Sequence, residues 1–305
     1  MITGADGFVG QNLQVRLRET QQYEILAFTR ANDPDDLPDM VSRVDAVVHL
    51  AGENRPTEDS EFDIVNRGLT KKVCDSIKAS GRKIPILFSS SSHAERETPY
   101  GKSKRDGERA IEQLSHELGA HAAIYRLPNI FGKWCRPNYN SVVATYCHNA
   151  ANDIGLRVDD PDAQLSLVYI DDVAAEIAEW LSSDHSGGGL TWGSVEPEYQ
   201  ISVGQLAQKI SGFASTRKML GIDRVGTGLT RALYSTFISY LEPRDFSYTL
   251  TKHADARGVF VEMLRTPDAG QFSFFTAKPG ITRGGHYHHS KTEKFLVVKI
   301  GRAHV

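Results

Sequence analysis

Met1-Ile2-Thr3-Gly4-Ala5-Asp6-Gly7-Phe8-Val9-Gly10 opens the chain, and its three glycines stand three residues apart. Val9, Leu13 and Leu17 then recur at i, i+4 and i+8, which predicts a helix beginning inside the glycine run. A strand that turns into a helix over glycines lets the backbone approach a pyrophosphate at the helix N-terminus. The competing reading is an ordinary glycine-rich turn. The strand–helix–strand order that follows favours a cofactor loop. Only two residues precede Thr3, where a buried strand has about five. The pattern therefore predicts native residues upstream of Met1.

The next strand, residues 24–28, ends at Thr29-Arg30. An acid there would hold the ribose 2′-hydroxyl of NAD, whereas Arg30 suits the 2′-phosphate of NADP; the plainer alternative is a surface arginine at a strand end. Residues 45–52 read as a buried parallel strand closing on the small pair Ala51-Gly52, which leaves room for a cofactor beside Leu50. A helix with Val65, Leu69, Val73 and Ile77 follows. On it, Asn66 is either a polar anchor reaching the strand ends or a solvated residue.

A third buried strand, residues 84–88, ends in Ser89-Ser90-Ser91-Ser92. Hydroxyls at the carboxyl end of a central strand face the crevice where doubly wound sheets bind ligands. Tyr100-Gly-Lys-Ser-Lys104 comes next. Tyrosine and lysine four apart share a helix face. The ammonium is expected to lower the phenol's pKa and make it a proton donor or acceptor near neutrality; alone, the spacing also fits any solvated face. The helix continues through Ala110, Ile111, Leu114 and Leu118 to Gly119, and the strand 122–127 follows.

Together, Gly4/Gly7/Gly10, His49-Leu50-Ala51-Gly52, the serine run, Tyr100-x-x-x-Lys104, residues 126–132 and Val168-Tyr169-Ile170-Asp171-Asp172 resemble the extended short-chain dehydrogenase/reductases that act on nucleotide sugars. The resemblance covers residues 1 to about 220 and implies an α/β, Rossmann-type doubly wound parallel sheet. It implies Tyr100 as the acid/base. Lys104 would hold the cofactor ribose and tune the tyrosine, and a serine would polarise the sugar carbonyl. Ser91 is the first choice for that serine and Ser90 the second, because the segment from serine to tyrosine is short for the family. Arg126 and Asn129 would face the nucleotide sugar. Cofactor contacts would come from Gly4, Gly7, Phe8, Val9, Gly10, Arg30, Leu50, Ala51, Gly52, Asn66, Tyr100 and Lys104, with NADPH bound.

From about Phe246 the pattern changes to short strands, residues 258–264, 271–275 and 293–298. Strands without helices predict an all-β barrel or sandwich. Residues two apart on a strand share a face, so His286 and His288 can bind one ion and Glu293 can join them. Two imidazoles and a carboxylate suit zinc; the alternative is a histidine-rich surface turn. The spacing resembles the first cupin motif, but the expected second half is missing. The predicted division is therefore 1–242 for the reductase domain and 243–305 for an incomplete cupin barrel that would hold zinc only when full-length. Residues 300–305 match the translation of a sequencing-adapter DNA and are expected to be foreign to the gene.

A reductase joined to a cupin resembles the CapF family of bacterial capsular polysaccharide biosynthesis enzymes. That resemblance implies a cytoplasmic homodimer on the route to UDP-N-acetyl-L-fucosamine. The cupin would epimerise C3 of a UDP-4-keto-6-deoxy amino sugar and the reductase would reduce C4. The alternatives are an NAD-dependent epimerase or dehydratase and a non-catalytic NAD(P)-binding sensor. With 305 residues, 40% apolar and 24% charged, the composition is that of a folded globular protein. A net charge of −3 gives no reason to expect nucleic acid or an anionic membrane as partner. Cys74, Cys135 and Cys147 lack metal-type spacing and read as buried thiols.

Overall fold

The computed structural model describes residues 1–58, 61–268, 270–285 and 287–298. The chain divides into two compact units, Met1–Ser247 and Tyr248–Val305.

In the first unit β1 (Ile2–Thr3) runs into α1 (Phe8–Thr20). Then come β2 (Ala27–Phe28), α2 (Leu37–Ser42), β3 (Val47–His49), α3 (Leu69–Ala79), β4 (Ile86–Ser91), α4 (Pro99–Leu118) and β5 (His121–Leu127). A second stretch adds β6 (Asn129–Phe131), α5 (Val142–Ala151), β7 (Gln164–Tyr169), α6 (Ile170–Ser182), β8 (Gly189–Gly193), β9 (Tyr199–Ser202), α7 (Val203–Met219) and α8 (Gly228–Ile238). Six strands form one parallel sheet in the order β2-β1-β3-β4-β5-β8. The chain leaves β1 in both directions, so the switch point lies between β1 and β3, where such sheets bind ligands.

Side-chain alternation fills both faces. Phe88 and Ile124 bury against Val73, Ile77, Ile111 and Leu114 from α3 and α4. Leu87, Val48 and Tyr125 bury on the other face against Leu13, Leu17, Val173 and Ile177 from α1 and α6. Each such side chain removed from water contributes about 1.5–3 kcal/mol. A smaller sheet, β6-β7-β9, packs Phe131, Leu167 and Tyr169 against Leu206, Ile210, Phe213, Leu233 and Phe237.

Two local departures from the sequence pattern bear on the site. β4 runs into the serines and ends at Ser91, so Ser89 to Ser91 pair with Tyr125 to Leu127. The helix expected around Val65 begins instead as the wide π-type turn Phe62–Gly68, and only then narrows into α3.

The second unit is an antiparallel sheet of β10 (Lys252–Asp255), β11 (Gly258–Thr266) and β12 (Gly270–Phe275), with a bulge between Glu262 and Leu264. The strand expected over 293–298 does not form. Phe295, Leu296, Val297 and Val298 are exposed, and among the described residues they pair with no strand, although the Phe295 ring lies 6.1 Å from that of Phe275 at the end of β12.

Candidate active site

The glycine loop is shaped by close approach. Gly4 has φ +67°, and a Cβ there would sit 2.9 Å from Ala51 backbone atoms. A Cβ on Gly10 would lie 2.3 Å from the Gly4 oxygen. Only glycine fits this stack of loop, α1 and the end of β3. The α1 N-cap, Gly7, makes no side-chain cap, and the first turn carries no acid. Its orphan N–H groups therefore suit an anion, and the cradle fits a cofactor pyrophosphate.

β3 ends on a relay. The Thr3 hydroxyl lies 2.6 Å from His49 Nδ1, and His49 Nε2 lies 2.9 Å from Thr70 Oγ1, which donates to the Asn66 carbonyl at 2.6 Å. This order makes Nε2 the protonated nitrogen, a tautomer assigned from the network. Burial, with the nearby Lys104 charge, pushes His49 down to about 3, so it is neutral and structural. The relay fixes Asn66. Its amide oxygen accepts from Glu53 N at 2.6 Å. Its NH₂ donates to Glu53 O and to Ser103 Oγ, both at 2.9 Å. Asn66 is thus a buried anchor, the first of the two alternatives its spacing left open.

Thr98 caps α4 through Gly101 N at 3.1 Å, and Pro99 supplies the first helical position. Farther along, a Cβ on Gly107 would sit 2.7 Å from the Phe88 ring, so the helix lies tight on β4. This contact brings Lys104 to the strand end. Its Nζ is buried and donates to the Ser89 carbonyl at 2.9 Å. A Cβ on Gly52 would lie 3.2 Å from both Lys104 Nζ and Asn66 Oδ1. Half-buried Tyr100 lies between Phe62 and His93, with ring centroids 5.7 and 6.1 Å away, and hydrogen-bonds Ser91.

The electrostatics differ from the sequence expectation. Burial raises the Tyr100 pKa, and the Ser91 hydrogen bond only partly offsets it. The Lys104 ammonium spends its bond on Ser89 O and lies 6.0 Å from the Tyr100 ring centroid, so it does not lower the phenol in this geometry. Lys104 itself is pulled down to about 8 by burial, with the Glu108 carboxylate opposing.

Two other expected residues turn elsewhere. Ser90 is buried and donates to Glu108 Oε1 at 2.5 Å, on the α4 side of the sheet. Arg126 does not present an open guanidinium to a sugar nucleotide. Its Nε and Nη2 donate to Glu108 at 2.9 and 2.8 Å, its Nη1 reaches Glu95 at 3.2 Å, and it lies over the Trp192 ring at 4.8 Å. Register explains both, since Ser90 pairs with Arg126 and shares the Phe88 face. Asn129 is exposed at the start of β6 and donates to Ser166 O at 3.1 Å.

Arg30 is exposed and donates to Glu53 Oε2 at 2.8 Å. Glu53 also accepts from Tyr139 and from the Asn54 and Arg55 amides, each at 3.0 Å. Neither Glu53 nor Glu108 was among the expected site residues. Position gave a signal for both: Glu53 directly follows Gly52, and Glu108 stands one helical turn past Lys104.

For the expected metal set, His286 lies outside the described residues. His288 Nε2 is 3.3 Å from Glu293 Oε1. Among the described residues no group of three His, Cys, Asp or Glu converges. Two of the three expected donors, His288 and Glu293, lie side by side.

Residues 1–189 match the model of the NAD dependent epimerase/dehydratase family, and residues 253–305 match the polysaccharide biosynthesis C-terminal domain. A UDP-2-acetamido-2,6-beta-L-arabino-hexul-4-ose reductase of Pseudomonas aeruginosa is 51% identical over 98% of this chain and 80% of its own length. The crystal structure of the capsular polysaccharide assembling protein CapF from Staphylococcus aureus superposes with a TM-score of 0.85 at 39% identity, covering 95% of this chain and 78% of that one. A UDP-glucuronic acid 4-epimerase of Bacillus cereus in complex with NAD shares the fold alone, with TM-score 0.64, 16% identity and coverage of 78% and 97%. With that family model matching residues 1–189 and a named reductase 51% identical over 98% of this chain, the chain belongs to the NAD dependent epimerase/dehydratase family and is an oxidoreductase.

Proposed function

We propose that this chain reduces the C4 ketone of a UDP-4-keto-6-deoxy amino sugar, with NADPH as cofactor. The route would be that to UDP-N-acetyl-L-fucosamine for bacterial capsule or O-antigen polysaccharide. The observation that carries the reading is the Ser91–Tyr100 hydrogen bond set one helical turn from the buried Lys104 ammonium. The 51%-identical relative, named as a UDP-hexulose reductase, supports it.

When bound, the reduced nicotinamide supplies a hydride. Gly4, Gly7 and Gly10 would hold its pyrophosphate, Arg30 its 2′-phosphate, and Phe8, Val9, Leu50, Ala51, Gly52 and Asn66 would line its path. Tyr100 donates its phenolic proton to the oxygen that becomes the C4 hydroxyl. A phenol that burial keeps protonated is suited to donate in this direction. Ser91 bonds the same oxygen as negative charge gathers on it. The Lys104 ammonium would hold the cofactor ribose beside the tyrosine. Asn129 is assigned to the substrate side.

Dehydration would need a second acid or base beside the tyrosine. Glu95, the carboxylate nearest the serines in sequence, is exposed and pairs with Arg126. That disfavours the dehydratase alternative. A non-catalytic sensor would have no use for Tyr100 and Lys104 together. In the full-length protein the proposal is a C-terminal cupin in which His286, His288 and Glu293 would hold zinc for epimerisation at C3, while the 305-residue chain alone neither epimerises nor holds the metal tightly.

The test is to mix the purified chain with NADPH and a panel of UDP-4-keto-6-deoxy amino sugars. Loss of reduced-nicotinamide absorbance with wild type is expected, and none with Tyr100→Phe, which should still bind NADPH. Unoxidised NADPH with the wild type would overturn the reading.

A further inference from the structure

We propose that Glu108 is the positioning residue of this active site: its carboxylate clamps the serine strand end through Ser90 and Arg126 while facing the Lys104 ammonium with one negative charge. The proposal rests on the reading of Tyr100, Lys104 and Ser91 given above.

Glu108 is 4% exposed and sits four residues beyond Lys104 on the same face of α4. One oxygen accepts from Ser90 at 2.5 Å and Arg126 Nε at 2.9 Å, and the other from Arg126 Nη2 at 2.8 Å. Ser90 lies between the residue whose carbonyl binds Lys104 and the residue whose hydroxyl meets Tyr100. The carboxylate therefore locks β4 to α4 at the point where both catalytic contacts cross from strand to helix. A buried carboxylate persists only when paired and hydrogen-bonded, and both conditions are met here.

The charge has a second consequence. Lys104 is buried, and its strongest influence is loss of water, which disfavours the ammonium. Around it, α4 contributes Tyr100 and Glu108, β3 contributes neutral His49, and the Phe62–Gly68 turn contributes uncharged Asn66. β5 contributes Arg126, whose charge is shared between Glu108 and Glu95. The Glu53 carboxylate is turned to Arg30. Glu108 is thus the anion that holds the proton on Lys104. Removing it leaves Arg126 and Lys104 as two cations with no carboxylate between them.

The experiment is the pH profile of kcat/KM for NADPH-dependent ketone reduction, which reports groups of the free enzyme. Activity needs protonated Lys104, so the alkaline limb follows the lysine. Glu108→Gln keeps the shape and removes the charge; its limb is expected to move down by about one pH unit from about 8, so that titration alone lowers activity at pH 7 roughly twofold. Glu108→Asp keeps the charge, so its limb should stay near the wild-type position. Arg126→Gln removes the opposing cation and should move the limb up. An unmoved limb in Glu108→Gln overturns the proposal. Should that variant fail to fold, Arg126→Gln decides, and an unmoved or lowered limb there overturns it. The two levels of failure separate cleanly. Full turnover by Tyr100→Phe defeats the underlying reading, whereas an inactive Tyr100→Phe with unshifted limbs defeats only the role of Glu108.

Discussion

Lys104 Nζ donates to the Ser89 carbonyl at 2.9 Å, tying the Tyr100–Lys104 face of α4 to the end of β4. The tie holds an ammonium almost out of water, and the lysine's pKa falls from 10.5 to about 8. Folded and unfolded states both carry the proton below pH 8, so the burial cost is present in full there. Between pH 8 and 10.5 the folded state is the first to lose its proton, and stability rises with pH. The shift corresponds to about 3 kcal/mol at neutral pH.

Lys104→Met should therefore stabilise the protein at pH 7 by about 1–2 kcal/mol, after loss of the Ser89 bond, while cutting turnover at least about a hundredfold. Urea unfolding at pH 7 and at pH 10 checks it. The gain over wild type should shrink at the higher pH. A destabilised Met variant would contradict the account of the buried charge.

Gly10→Ala should cost more than about 3 kcal/mol and abolish NADPH binding, because its Cβ would meet the Gly4 oxygen at 2.3 Å. Gly212→Ala, in α7 with open space around its Cβ, is the control and should bind as wild type does. Thermal unfolding and nicotinamide fluorescence read both effects.

His49 sets the acid limit. Its folded pKa, about 3, lies below the ordinary 6.5. Below pH 6.5 the unfolded chain takes up a proton that the folded chain refuses, so stability falls as pH falls and goes on falling toward pH 3. The loss should reach about 3 kcal/mol by pH 4.5. His49→Gln lowers stability at pH 7 through the broken relay, but its decline between pH 6.5 and 4.5 should be flatter by that amount. Denaturant midpoints across this range decide it.

Much of this was legible in the sequence, and the reasons are local. The glycine spacing, the strand ends and the Tyr100–Lys104 pair depend on short-range periodicity, which folding did not override. The carboxylate partners of Arg126 are not legible in the sequence, because they depend on register. Arg126 pairs with Ser90, so its side chain falls on the α4 face, and nothing in the order of residues states which strand face a helix will cover. The Tyr100 pKa was misjudged for a related reason. Spacing showed a nearby cation, but burial, the larger influence, is known only once the crevice is folded. Residues 293–298 carry a strand-like apolar pattern, yet a strand needs a partner as well as a pattern.

Arg30 is exposed and donates to Glu53. Arg30→Ala should lower kcat/KM with NADPH roughly 10- to 100-fold and change the value with NADH little. Parallel titrations of the two cofactors measure the ratio, and equal losses with both would remove Arg30 from phosphate recognition.

The central claim is that hydride reaches C4 of a nucleotide-linked ketone while Tyr100 supplies the proton. Its most direct measurement uses NADPH carrying deuterium at the transferable position of the nicotinamide, with NMR of the sugar product. The expected result is deuterium at C4 of the new alcohol with the wild type and no labelled product with Tyr100→Phe. A product without deuterium at C4, or labelled product from Tyr100→Phe at the wild-type rate, would contradict it.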